Sequence, residues 1–271
     1  MIRKLFIPSL RELGYSSGFS LRNPVAFGYA ATEPLKVKVT LFRESTPQHT
    51  HFIEFERSQM YAISQEAEWN LPDGQTRPGD LITAEYVSQL EEPLATDFAC
   101  EGQLIFSSTE TGARASVLLD TVPVRGKGHK YAPIFHNGHY MLSSDLFETY
   151  ACMMNFNSDP AEGSADANKM EFRILSPKGK TLHVTTRALP YNSTSLLSVS
   201  ELCQGVPCDR NVTVLARGGA AQFAIFSVFL NRKTNAIGIE HSLPPIYYTE
   251  AVKHPESRKI FYQKAFGNLW N

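Results

Sequence analysis

The stretch KVKVTLFRESTPQHTHFIEF, Lys36 to Phe55, decides the fold. Val37, Val39 and Leu41 alternate with Lys36, Lys38 and Thr40, so an extended chain carries its apolar side chains on one face and its polar ones on the other. A polar turn follows, and then a second apolar segment. A period of two with β-branched and aromatic residues is the pattern of half-buried antiparallel strands, which must cover their apolar face with another sheet.

The same plan returns in KMEFRILSPKGKTLHVTT, Lys169 to Thr186, where Met170, Phe172 and Ile174 share a face. Flanking blocks match in the same order. SSGFSLRNPVAFGYAATEP (Ser16 to Pro34) corresponds to SSDLFETYACMMNFNSDP (Ser143 to Pro160), and MYAISQE to LLSVSEL. LIFSSTETGARASVLLDTVP parallels AIFSVFLNRKTNAIGIEHSLPP, with Ile105-Phe106-Ser107 against Ile225-Phe226-Ser227. The expected architecture is all-β: two tandem antiparallel β-sandwich domains over 14–125 and 140–250, a linker over 126–139 and a C-terminal helical extension over 251–271. Short helices are expected at PSLRELG near the N-terminus and from Pro255 at the C-terminus, where Ile260, Phe261, Ala265 and Phe266 form a stripe of helical spacing.

With 271 residues, 42% hydrophobic and 20% charged, the chain has the balance of a globular protein. A net charge of −1 supplies no field to recruit nucleic acid or an anionic membrane, and no apolar run is long enough for a membrane span. The N-terminal apolar run is short and broken by Pro8, so a cytoplasmic location is the default expectation, with reduced thiols at Cys100, Cys152, Cys203 and Cys208.

Gly14-Tyr15-Ser16-Ser17-Gly18 reads as G-x-S-x-G. A nucleophile elbow needs a strand before the serine and a helix after it, whereas here a helix is expected before and a strand after. A catalytic Ser16 is therefore disfavoured. His49 and His51, two apart on a strand, project from one face and could join His136 and His139 around a metal, against the alternative of a solvent-facing hairpin tip. Arg125, Lys127, His129 and Lys130 lie among glycines but without P-loop spacing, as in a solvated linker. Glu240, His241, Tyr247 and Tyr248, in GIEHSLPPIYY, are the candidate ligand-binding residues, since tyrosines beside an imidazole can stack on a sugar or another flat ligand. Asp120 lies at the equivalent place in the first repeat, so His241 and Asp120 are the candidate acid/base pair should the protein be an enzyme.

The run TYACMMNFNSDP, then KMEFRILSPKGKTLHVTT, LLSVSEL and VTVLARGGAAQFAIFSVFLN resembles the small β-sandwich of the sensory rhodopsin transducer family, over Leu142 to Leu230. The resemblance implies an oligomeric binding protein rather than an enzyme, with small carbohydrates among the ligands proposed for that family. It carries no functional residue across. The sequence thus leads to a non-catalytic small-molecule or carbohydrate binder, or an assembly protein, forming a homo-oligomer. The alternative is an enzyme with a histidine-based acid/base or metal site acting on a small apolar or sugar-like substrate.

Overall fold

The computed structural model describes residues 2–24, 34–55, 60–69, 71, 74–95, 101–124, 136–141, 143–156, 167–178, 180–204, 212–217 and 222–241. Strands run in chain order as β1 (Arg3–Pro8), β2 (Tyr15–Arg22), β3 (Lys36–Arg43), β4 (Thr46–Glu54), β5 (Tyr61–Gln65), β6 (Leu81–Val87), β7 (Glu101–Ser108), β8 (Arg114–Asp120) and β9 (Val122–Pro123). They continue as β10 (His136–Met141), β11 (Phe147–Phe156), β12 (Ala167–Leu175), β13 (Thr181–Pro190), β14 (Ser193–Ser198), β15 (Val212–Arg217), β16 (Gln222–Asn231) and β17 (Ala236–His241). The one α-helix among the described residues is the single turn α1 (Val199–Leu202), and none there is long and apolar enough to cross a membrane.

The protein is all-β, with antiparallel pairing in every sheet. The first pair of sheets has the orders β4-β3-β6-β1-β9 and β5-β2-β7-β8; the second pair has β10-β15-β12-β13 and β14-β11-β16-β17. The chain therefore runs through one strand order twice, β1 to β8 corresponding to β10 to β17, and β9 is an addition at one edge. The alternating segments behave as their pattern requires. Val37, Val39 and Leu41 are buried on β3, and Met170, Phe172 and Ile174 are fully buried on β12.

The strands between the sheet pairs are buried on both faces. On β1, Leu5 points at Gly102 of β7, while Phe6, one residue on, sets its ring centroid 5.2 Å from that of Phe156 on β11. Its neighbour β6 is buried along its whole length, with Tyr86 reaching Arg22 O of β2 on one face and Glu85 bound to Lys4 on the other. β11 repeats the arrangement: Cys152, Met154 and Phe156 join the core of the first sheet pair, and Ala151 and Met153 join that of the second. Phe156 is the wedge, also meeting Phe42 edge-on at 5.8 Å and lying under the Lys4 ammonium at 5.6 Å. Hydrogen bonds tie the same junction at the start of β14, where Thr194 Oγ1 donates to Asp80 O and Asn192 Nδ2 to Ser45 O.

Two expectations are corrected. PSLRELG does not form an α-helix: Pro8 closes β1, and only Arg11–Leu13 makes a turn of 3-10 helix, stopped by Gly14 in the left-handed region. Pro8 is taken up by the buried strand β1, which leaves room for a single turn only, and Leu10 at the N-cap of that turn provides no side-chain hydrogen bond. The thiols are not all reduced, since Cys203 is disulfide-bonded while Cys152 is free and buried. Cys100 and Cys208 lie outside the described residues. The C-terminal helix expected from Pro255 also lies outside them.

Because Phe156 fills a position shared by two sheets, Phe156→Ala is expected to lower the stability of the whole chain by about 3–5 kcal/mol, read from urea denaturation midpoints. Leu118→Ala, at a side chain left open to solvent on β8, serves as the control and should change stability by about 0.5 kcal/mol or less.

Candidate functional site

The G-x-S-x-G segment is a strand, and its alternation explains its composition. Tyr15, Ser17, Phe19 and Leu21 point inward from β2, and Ser16, Gly18 and Ser20 point outward. Ser16 Oγ donates to Ser107 O across the ladder at 3.2 Å, and Ser17 Oγ donates to Pro8 O at 2.6 Å, so neither hydroxyl sits on a strained turn beside a base. The nucleophile reading ends there. What the small outward residues create is a trough along the centre of the outer face of this sheet.

Across that face, register aligns Ile63 of β5, Ser20 of β2, Gln103 of β7 and Leu118 of β8 in one row. Ile63 and Leu118 stand as walls, 54% and 60% exposed, while Ser20 forms the floor at 6%. Tyr61 and Ile105 complete a cavity of about 320 Å³, at the small end of the range for ligand pockets. Polar groups are few and placed. Gln103 Nε2 donates to Ser116 Oγ at 3.1 Å, which leaves Oε1 as an acceptor, and Ser20 Oγ carries no hydrogen bond among the described residues. Glu101 closes one end, bridged to Arg22 at 3.1 Å, with Asp120 opposite it in the ladder.

A second concavity, of about 390 Å³, lies where the sheet pairs meet. Glu148 is buried on β11 and receives Ser143 Oγ at 2.7 Å, the Ser200 amide at 3.2 Å and the Arg232 guanidinium. Glu201 is held by a capping box with Ser198 at the start of α1. Glu12, from the 3-10 turn, faces this group from the other sheet pair. Burial and the nearby Glu148 carboxylate push the Tyr150 phenol up, and burial first among the causes raises the Cys152 thiol far from reactivity.

The residues singled out from sequence are dispersed. His49 and His51 lie on β4 opposite Leu41 and Val39, so they are half-buried at the edge of the inward face and not on a solvent-facing tip. The aliphatic register of β3 puts them there. His136 and His139 fall on β10, the edge strand of a sheet in the other pair. Among the described residues no group of three or more His, Cys, Asp or Glu is placed to hold a metal ion. Asp120 is exposed at the end of β8, on the rim of the trough. Glu240 is exposed on β17, which lies against β8, and His241 ends that strand; Tyr247 and Tyr248 are outside the described residues. The small residues at 14, 16, 18 and 20 are the period-two signal in plain sequence from which the trough follows. No family model matches the chain, and comparison with curated proteins and with solved structures finds no match.

Gly18 is required by close approach: a Cβ there would meet Ser64 O at 2.9 Å, and that oxygen belongs to the backbone. Gly18→Ala is therefore expected to cost about 1–3 kcal/mol in thermal unfolding. Ser16→Ala should cost far less, since one partly exposed hydroxyl is removed.

Proposed function

We propose that the protein is a non-catalytic binding protein that takes a small amphipathic ligand of the carbohydrate class in the β2 trough. The observation that supports this most is the pairing of a small-residue floor with exposed apolar walls and two hydrogen-bonding groups, Ser20 Oγ and Gln103 Oε1, that have no other partner among the described residues. A sugar ring has the matching chemistry: C–H faces for Tyr61, Ile63 and Leu118, and hydroxyls that both donate to Gln103 Oε1 and accept from Ser20. An uncharged ligand also fits, because the Glu101 charge at the end of the trough is balanced by Arg22. The repeated strand order, with Ile105-Phe106-Ser107 and Ile225-Phe226-Ser227 on corresponding strands, supports a tandem duplication in which β2 specialised and β11 did not. On β11 the corresponding face is covered by core.

Titration with maltose, cellobiose and lactose, followed by amide ¹H–¹⁵N shifts, is expected to move Gly18, Ser20, Gln103 and Ile105 together. Tyr61→Ala with Ile63→Ala should then weaken binding about tenfold, the scale of losing a contact anchor. Shifts absent from these residues for all three sugars would overturn the carbohydrate reading. Concentration-dependent shifts of the same residues without sugar would instead favour the assembly reading, with a second copy on this face.

A further inference from the structure

Each sheet ends in two edge strands, and an edge with open N–H and C=O groups is a template for another chain. Most of these edges are met or blunted. β8 and β17 lie against one another, and β14 is tied to the first sheet pair by the Thr194 amide, which donates to Gly79 O at 3.0 Å. β5 has five residues and β9 two, while β10 breaks register between Asn137 and Tyr140. β4 carries Pro47, and the Lys36 ammonium lies over the ring of Phe52 on that strand at 5.9 Å.

β13 has none of these devices. It runs ten residues, Thr181–Pro190, with no proline before its last, and from Thr181 to Ala188 its backbone pairs with β12 alone among the described residues. Its polarity is inverted as well. Register sets His183, Thr185 and Arg187 opposite Ile174, Phe172 and Met170, the core-facing residues of β12. Leu182, Val184, Thr186 and Ala188 are left exposed on the outer face.

We propose that β13 pairs with β13 of a second copy of the chain about a two-fold axis, joining their sheets into one. The strand is complementary to itself. Antiparallel pairing about Thr185 sets Leu182 against Ala188 and Val184 against Thr186, twice over by symmetry, with Thr185 against its own copy on the other face. The one charged residue of the strand, Arg187, then meets His183 and not a second arginine. A net charge of −1 on the whole chain adds almost no repulsion between copies. Such a contact uses up the edge that makes it, so assembly stops at two. The trough on β5-β2-β7-β8 belongs to another sheet and takes no part. A single pair of edge strands is a small interface, which places self-association in the micromolar range.

Sedimentation equilibrium of the full chain, between about 1 and 200 μM, is expected to move from one to two times the chain mass of 30.3 kDa. Val184→Lys together with Thr186→Lys sets like charges directly opposite and should hold the protein monomeric across that range, as should Val184→Glu together with Thr186→Glu. Mixed in equal amounts, the two double variants should restore the dimer, which also shows that both are folded. Leu90→Lys, at an exposed loop side chain, should associate like the parent. Amide exchange from residue 181 to residue 188 should slow about tenfold with rising concentration in the parent and not in the lysine variant. A parent that stays monomeric, leaving the edge to a foreign strand, overturns the pairing. So does a dimer that persists in the lysine variant or is not restored by mixing.

Discussion

The constraint on which the rest of the structure depends is that β1, β6 and β11 have no solvent face. Phe6 and Phe156 pack with tilted rings at the junction, and the Lys4–Glu85 pair lies beside them, 2.8 Å apart and largely buried. A buried pair of this kind holds little net energy by itself, because both charges lose their water. Its value is in register: a slip of β1 by one residue against β6 would separate the pair and turn Leu5 and Ile7 away from their core. The repeated strand order therefore does not produce two independent bodies. It produces two cores joined along β11, whose alternate side chains belong to the core of the first sheet pair and to that of the second.

This arrangement decides where binding surfaces can be. The inner sheets are consumed by packing, so a ligand must meet an outer face or the rim of the junction. On the outer face of β5-β2-β7-β8, the central strand carries Ser16, Gly18 and Ser20 where its flanks carry Tyr61, Ile63, Ile105 and Leu118. A valley between ridges results from side-chain size alone. At the rim, Glu12, Glu148 and Glu201 converge because the 3-10 turn before β2 and the helical turn after β14 end at the same seam.

The sequence was legible where a strand has one wet face and illegible where it has none. Lys36-Val37-Lys38-Val39 and Lys169-Met170-Glu171-Phe172 alternate, and both are strands with the predicted residues inside. RKLFIP and LITAEYV have both faces covered, so the alternation that identifies a strand is lost, and their pattern does not mark either as a strand. The order of matched blocks anticipated the strand order, since turn chemistry and apolar segments recur together. The candidate histidines misled for a physical reason. Two residues apart on an edge strand share a face, but which face depends on the neighbouring strand, and β3 turned His49 and His51 toward the core side. Glu12, Glu148 and Glu201 are remote in sequence, so no spacing could announce them.

Differential scanning calorimetry of the full chain tests the joining of the two cores most directly. One cooperative transition, with equal calorimetric and van't Hoff enthalpies, is the result predicted when β1 and β11 unfold together. Two separable transitions, one for each sheet pair, would contradict it.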